Sequence, residues 1–299
     1  MRLRKMVLVI PLFAAVSLST AVAQEVVPPR APVLSSEELA QRPQTPGALG
    51  NQQRHYYFAE AKEEMPYRLY VPQSYVASKK MPLIVALHGA GGRQDYFFRS
   101  GTQTEDLCEK YGFILVAPLG YHAFGGYGAM KLPRPPVSGQ AARPVDPRRP
   151  HWTEEDERRV TELSEKDVFN VLAMVEKEYT VDEANVFLMG HSMGGFGTWY
   201  LGQKYPEKWA AMAPMSGGFG FVGYPLAKIR GIPVFVSAGS EDIALHGQPA
   251  QEAAARFQAA GVSLVYVEID GGTHMSMISP TLPKIFEFFA AHKRSLETR

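Results

Sequence analysis

The chain has 299 residues, 45% of them hydrophobic and 20% charged, and its formal net charge is +1 at pH 7. This composition is typical of a globular protein with a sizeable core, and it excludes a disordered or fibrous chain. The balanced charge gives no argument for binding to nucleic acid or to an anionic membrane surface. No stretch has the spacing of a zinc finger or of a phosphate-binding Gly-Lys-Ser/Thr loop.

The first 23 residues have the layout of a secretory signal peptide. Three basic residues precede an apolar run over 6–16, and Ala21-Val22-Ala23 matches a signal-peptidase site. A retained membrane anchor is the alternative, but the apolar run is shorter than the ~20 residues that a span requires. We therefore expect cleavage after residue 23, export to the periplasm or the medium, and no stable membrane anchor afterwards.

Residues 24–52 are rich in Pro, Gln, Ala and Gly, which predicts a poorly ordered linker ahead of one folded domain over 53–299. Cys108 is the only cysteine, so no disulfide can form within the chain. It lies in an apolar-periodic stretch over 104–111, which favours a buried free thiol over a nucleophile.

Short strands and helices alternate through the rest of the chain. The run over 82–87 is continuously apolar, as expected for a parallel strand that is buried on both faces. Strand followed by helix, repeated, predicts an α/β fold with a mostly parallel sheet of about eight strands and helices on both faces. Strands are expected at 56–58, 67–71, 82–87, 113–117, 185–189, 209–215, 233–237 and 263–269, and helices at 165–179 (capped by Ser164), 194–204, 248–260 and 282–292.

Residues 121–159 interrupt this alternation with many prolines and arginines. A loop this long inside a compact domain is usually a functional insertion. It leaves from the carboxyl end of a strand, which is where α/β sheets bind ligands, so we expect a lid or a substrate wall. Tyr121, His122, Tyr127 and Trp152 are its candidate substrate contacts, with ordinary loop packing as the alternative.

The motif Gly190-His191-Ser192-Met193-Gly194-Gly195 follows a predicted strand and opens a predicted helix. A nucleophilic serine on such a turn has a strained backbone, and the flanking glycines keep side chains out of its way. The helix N-terminus behind the hydroxyl favours developing negative charge. The motif therefore predicts Ser192 as a nucleophile.

A serine hydroxyl needs a base, and the base needs an orienting acid. His274 follows the last predicted strand and is the predicted base. His191 is adjacent to Ser192 and cannot readily face the same hydroxyl. Asp242 follows the strand at 233–237 and completes the chain order Ser, Asp, His, although its neighbour Glu241 stays a rival.

Acyl transfer also needs hydrogen-bond donors for an oxyanion. Leu87-His88-Gly89-Ala90-Gly91-Gly92 follows the third predicted strand, and the backbone N–H groups of Ala90 and Met193 are the predicted donors. Gly89 is a further candidate contact. A simple strand-to-helix turn would also favour glycine, and the two interpretations are compatible.

Together these motifs resemble the α/β-hydrolase superfamily over about residues 55–293. More narrowly, they are similar to the secreted polyhydroxybutyrate-depolymerase and feruloyl-esterase-like group and to related predicted peptidases, as is the run over 205–218. The resemblance implies an α/β-hydrolase fold with an eight-stranded sheet, no metal and no organic cofactor. It implies Ser192, Asp242 and His274 as nucleophile, acid and base, and it leaves the substrate open.

The predicted function is hydrolysis of a carboxylic ester, small or polymer-derived, through an acyl-enzyme. A serine peptidase or an acyltransferase on the same three residues stays open. So does a catalytically inactive ligand-binding protein on a hydrolase scaffold, since folds host several functions. The presence of all three candidate residues argues against an inactive scaffold.

Overall fold

A computed structural model describes residues 35–42, 44–131, 147–220, 223–242 and 250–294. The predicted signal peptide lies outside these residues, as do parts of the predicted linker and insertion. Among the helices of the described ranges, none is both long enough and apolar enough to cross a bilayer.

A sheet of eight strands forms the centre of the fold, in the spatial order β1-β2-β4-β3-β5-β6-β7-β8. β1 and β2 are antiparallel to each other, β2 is antiparallel to β4, and all other neighbours are parallel. The predicted α/β class with a mostly parallel eight-stranded sheet is therefore confirmed. The strands are β1 (Gly50–Phe58), β2 (Glu63–Val71), β3 (Met81–Leu87), β4 (Ile114–Pro118), β5 (Val181–His191), β6 (Met212–Met215), β7 (Val234–Gly239) and β8 (Leu264–Ile269).

Helices cover both faces of this sheet. In the described ranges they are α1 (Ser36–Ala40), α2 (Thr104–Tyr111), α3 (Glu154–Glu178), α4 (Met193–Lys204), α5 (Ala250–Ala259) and α6 (Ile278–Ala291). Side chains of α3, α4 and α5 share one hydrophobic layer, and those of α2 and α6 share the other. Cys108 of α2 is buried in the second layer, where burial raises the pKa of its thiol, consistent with a structural role.

β3 shows why the central strands are continuously apolar. Leu83, Val85 and Leu87 point into the first layer, whereas Ile84 and Ala86 point into the second. All five are at most 1% exposed. Burying one of the larger side chains contributes roughly 1.5–3 kcal/mol, so both layers hold the central strand in register.

α3 begins eleven residues before its predicted start at residue 165, so both that start and the predicted cap at Ser164 are wrong. Thr153 caps the helix: its hydroxyl accepts from the N–H of Asp156, whose carboxylate accepts from the N–H of Thr153. The acidic residues of the first turn are stabilised by the positive end of the helix dipole. Because this turn has no apolar residues at helical spacing, the hydrophobic pattern does not predict a helix there. Residues 154–159 of the predicted insertion are therefore helical.

The predicted linker also contains regular structure. α1 lies within it, and β1 begins at Gly50 rather than at residue 56. The first half of β1 is polar (Gly50-Asn51-Gln52-Gln53-Arg54), because this strand lies at the edge of the sheet. An edge strand needs little apolar alternation, which explains why the sequence pattern missed its start.

Candidate active site

Ser192 lies on a sharp turn between β5 and α4, with φ 56° and ψ −113°. A positive φ is unfavourable for a residue with a side chain, and such strain collects at functional sites. The neighbouring glycines allow the backbone of the turn to approach other backbone atoms closely. A Cβ on Gly190 would lie 2.2 Å from the carbonyl oxygen of Gly194, and one on Gly194 would lie 2.0 Å from that of Leu87. Neither glycine position therefore has room for a side chain, and at Gly194 the obstacle is the backbone of β3.

A continuous line of hydrogen bonds runs from Ser192 through His274 to Asp242. The Oγ of Ser192 lies 2.8 Å from Nε2 of His274. Nδ1 of the same ring lies 3.0 Å from each carboxylate oxygen of Asp242. The carboxylate is buried, whereas the His274 side chain is 37% exposed. This arrangement can take a proton from the hydroxyl and stabilise the resulting imidazolium.

The loops after β7 and β8 are joined to each other, and this fixes Asp242 relative to His274. The N–H of Glu241 donates to the carbonyl of Gly272 at 3.0 Å. The N–H of Gly271 donates to the Ser240 hydroxyl at 2.8 Å. Asp242 contacts His274, whereas the rival Glu241 is exposed to solvent. Of the two adjacent carboxylates, only Asp242 therefore meets the imidazole.

The glycine-rich loop after β3 lies beside the nucleophile. A Cβ built on the buried Gly89 would lie 3.4 Å from the Cβ of Ser192. The N–H of Gly91 donates to Ala123 and that of Gly92 to Gly89, both at 2.8 Å. In the described part of the chain nothing accepts from the N–H of Ala90. Met193 is the first residue of α4, and the first N–H groups of a helix have no acceptor within it.

Tyr127 does not line a ligand site, and its assignment as a candidate substrate contact is corrected. Its side chain is fully buried in the core. Its hydroxyl accepts from the N–H of His88 at 3.1 Å and lies 3.5 Å from the carbonyl of the same residue. The hydroxyl therefore fixes the backbone at the end of β3, just ahead of the glycine-rich loop.

The other insertion residues pack in two places. Tyr121 packs edge-on against Phe58 in a small cluster between the β1–β2 hairpin and α3, and its contact with a substrate stays a prediction. The rings of His122 and Trp152 pack edge-on, with their centroids 5.0 Å apart. The guanidinium of Arg149 lies 5.4 Å from the Trp152 ring. Burial lowers the pKa of His122, and the roles of His122 and Trp152 toward a substrate stay predictions.

Tyr96 and His191 have no predicted catalytic role from the sequence. In the structure both residues lie next to His274. The Tyr96 hydroxyl lies 2.8 Å from Nδ1 of His191. Nε2 of His191 lies 2.7 Å from the carbonyl oxygen of His274. Burial, and then the nearby His274, lower the pKa of His191 to about 3. Among the described residues, no cluster of three or more His, Cys, Asp or Glu could hold a metal ion.

Comparisons with known proteins identify the family of this chain. The family model described as "Putative esterase" matches residues 59–280. Feruloyl esterase B of Neurospora crassa is 30% identical over 151 residues, 50% of this chain and 42% of that protein. A bifunctional acetylxylan esterase/xylanase of Neocallimastix patriciarum is 29% identical over 167 residues, 56% of this chain and 20% of that protein. The aligned parts thus cover less than half of either relative.

Solved structures share the fold at low sequence identity. An S-formylglutathione hydrolase from Agrobacterium tumefaciens has a TM-score of 0.61 at 16% identity, covering 83% of this chain and 97% of that one. A ferulic acid esterase from Anaeromyces mucronatus has a TM-score of 0.56 at 17% identity, covering 85% and 94%. With the family match over residues 59–280, the chain belongs to this esterase family and has the α/β-hydrolase fold.

Proposed function

We propose that the protein is a serine esterase that hydrolyses carboxylic esters through an acyl-enzyme. The observation that carries the proposal is the unbroken hydrogen-bond line from Ser192 Oγ through His274 to the buried Asp242. Such a line turns a weakly nucleophilic hydroxyl into an attacking group, because the proton has an acceptor in place. Membership of the esterase family supports the same reaction.

In the first half-reaction, Oγ of Ser192 attacks the ester carbonyl carbon while Nε2 of His274 takes the hydroxyl proton. Asp242 accepts a hydrogen bond from Nδ1–H and stabilises the imidazolium. The carbonyl oxygen becomes an oxyanion that accepts from the N–H groups of Ala90 and Met193. Each such donor typically stabilises the transition state by about 2.7–4 kcal/mol. His274 then protonates the departing alkoxide, which leaves an acyl-Ser192 ester.

In the second half-reaction, water takes the place of the alcohol. Nε2 of His274 removes a proton from that water as its oxygen attacks the acyl carbon. The second tetrahedral intermediate collapses, the bond to Oγ of Ser192 breaks, and His274 returns the proton to Oγ. The products are the free acid and the regenerated hydroxyl.

For the substrate, we propose acetyl or hydroxycinnamoyl esters of carbohydrates. The support is that the relatives are named as feruloyl and acetylxylan esterases. We also propose export through cleavage after residue 23, supported by the basic start, the apolar run and the Ala21-Val22-Ala23 site. N-terminal sequencing of the protein recovered outside the cytoplasm tests the export proposal, and a start at Met1 contradicts it.

A fluorophosphonate probe and an ester panel test the reaction. We expect labelling of the wild type, loss of labelling in Ser192→Ala, and unchanged labelling in the control Ser74→Ala, because Ser74 is exposed on a loop after β2. Equal labelling of Ser192→Ala overturns the nucleophile, and no labelling of the wild type favours an inactive binding protein. The panel compares p-nitrophenyl acetate, methyl ferulate, acetylated xylan and aminoacyl amides; cleavage of the amides alone indicates a peptidase.

A further inference from the structure

His191 lies directly beneath the proposed base although it is adjacent to the nucleophile in the chain. Its ring is fully buried, and its centroid is 4.7 Å from that of His274. One ring nitrogen, Nε2, lies 2.7 Å from the backbone carbonyl oxygen of His274. The other, Nδ1, lies 2.8 Å from the hydroxyl of Tyr96, which is also buried.

These contacts determine the tautomer of His191. A carbonyl oxygen only accepts hydrogen bonds, so the hydrogen must be on Nε2, which donates to His274. Nδ1 is then bare and accepts the hydroxyl hydrogen of Tyr96, which agrees with the short distance. The sulfur of Met275 lies farther from that hydroxyl, at 3.5 Å, and is a weaker acceptor.

The surroundings keep this ring neutral. Burial is the main cause that lowers the pKa of His191 to about 3, and the adjacent His274 ring lowers it further, whereas the hydrogen bond to the His274 carbonyl and then the charge of Asp242 oppose the shift. The guanidinium of Arg99 lies 4.6 Å from the centroid of the Tyr96 ring. A neutral His191 suits the reaction, because a cation at 4.7 Å would oppose the imidazolium that forms on His274.

We propose that Tyr96 and His191 form a second hydrogen-bonded line, which positions His274 through its backbone carbonyl. The proposal rests on the proposed function, in which His274 is the base. Asp242 holds the imidazole ring at Nδ1, and His191 holds the main chain of the same residue. The side chain and the main chain of His274 are thereby each held by a hydrogen bond to the rest of the protein.

The other hydrogen bonds of this loop are made by residues before and after His274 rather than by its carbonyl. Thr273 and Ser276 hydrogen-bond to each other, which shapes the turn without anchoring it to the sheet. The bond from Gly271 to Ser240 and the bond from Glu241 to the Gly272 carbonyl anchor the chain three and two residues before the predicted base. The His274 side chain is 37% exposed and Met275 is 43% exposed, so packing restrains this part of the loop only partly. A displacement of ~1 Å in a reacting group can lower a rate by about 100-fold.

Two substitutions at His191 separate the donor from the rest of the ring. In His191→Gln, the amide nitrogen reaches the position of Nε2 and can still donate to the His274 carbonyl. In His191→Asn, the shorter side chain places its amide near Nδ1, and the donor to His274 is lost. The matched control is His292→Asn at the far end of α6, where Nδ1 contacts the Phe288 carbonyl (2.7 Å) and an asparagine amide near the Nδ1 position can keep that contact.

The readouts are kcat and KM on p-nitrophenyl acetate and the rate of fluorophosphonate labelling. We expect His191→Asn to lower both kcat and the labelling rate by about 10- to 100-fold while KM stays nearly constant. His191→Gln should recover most of this loss, and His292→Asn should match the wild type. Wild-type rates in His191→Asn overturn the proposal, and so does an equal loss in the Gln and Asn variants.

A measurement on the unaltered protein decides the case if the variants do not fold. Nitrogen-15 NMR of histidine-labelled protein reports which nitrogen of His191 carries the hydrogen. We expect a neutral ring, protonated at Nε2, throughout the pH range from ~5 to ~8 in which an ordinary histidine titrates. A hydrogen on Nδ1, or titration of this ring in that range, overturns the proposal.

The two proposals fail in different ways. If the wild type labels at Ser192 but cleaves no ester, the proposed function fails, and the labelling rates of the His191 variants still test the positioning line. If the wild type cleaves esters and His191→Asn does so equally well, only the positioning line fails.

Discussion

The carboxylate of Asp242 faces His274 with both oxygens 3.0 Å from Nδ1. Glu241, one residue earlier, is exposed, and its backbone N–H donates to the Gly272 carbonyl. The loop therefore directs one of two adjacent carboxylates to the base and the other to solvent, a difference that the sequence alone left open.

Exchanging each carboxylate for its amide should separate their roles. We expect Asp242→Asn to lower kcat by about 10⁴-fold, because an amide can donate to Nδ1 and hold the imidazole in the wrong tautomer. Glu241→Gln serves as the matched control and should leave kcat unchanged, because its side chain is exposed. Steady-state rates on p-nitrophenyl acetate measure both. A larger loss in the Glu241 variant would falsify the assignment of the acid.

The turn glycines should be needed for space rather than for flexibility. In Gly194→Ala the new Cβ would lie 2.0 Å from the Leu87 carbonyl, so β3 and α4 would have to separate. We expect a loss of unfolding free energy of about 3 kcal/mol or more, as for other severe overpacking. Urea unfolding measures this loss.

Gly112→Ala is the control for that experiment. Gly112 ends α2 with φ 66° and has nothing within 4 Å of a built Cβ. It should cost only about 1 kcal/mol, the ordinary penalty for an alanine at positive φ. Gly194 lies in α4 and has no positive φ, so equal losses in the two variants would contradict the importance of its close contact with Leu87.

The sequence predicts the sheet and the nucleophile turn because both depend on local pattern. A strand buried on both faces must be continuously apolar, as β3 is, and a strained serine between glycines is recognisable at a strand–helix junction. The sequence wrongly predicts Tyr127 as a substrate contact, because an aromatic residue at φ 54° among glycines has no hydrophobic periodicity that would indicate its burial. The contact between Tyr96 and His191 joins residues 95 positions apart, which no local pattern can reveal.

Asp167 should make the stability of the fold depend on pH. Its buried carboxylate accepts from the Tyr56 hydroxyl (2.6 Å) and from the N–H groups of Gly120 (2.7 Å) and Tyr121 (2.9 Å), which anchors the turn after β4 to α3. Burial outweighs these donors and raises the pKa of Asp167 from 3.8 to about 6. The folded state therefore binds this proton more tightly than the unfolded state does.

The stabilisation from that proton is fully present below about pH 4 and is lost as the pH rises through about 6. A shift of this size corresponds to about 3 kcal/mol. Asp167→Asn keeps the shape of the side chain and does not titrate. The unfolding free energy of the wild type minus that of Asp167→Asn should therefore fall by about 2.4 kcal/mol between pH 4 and pH 7, because part of the stabilisation is already lost at pH 4. Urea unfolding at several pH values tests this, and a difference that is constant or grows with pH contradicts the shift.

Removing the Tyr127 hydroxyl should affect stability rather than substrate binding. The hydroxyl is buried and is the acceptor for the His88 N–H, so Tyr127→Phe leaves that donor without a partner. A buried unpaired donor costs about 1–3 kcal/mol, and we expect that loss of unfolding free energy with KM changed less than about twofold. Tyr57→Phe is the control, since Tyr57 is 60% exposed and should tolerate the change. A raised KM with unchanged stability would mean instead that Tyr127 reaches the substrate, as its place in the insertion had suggested.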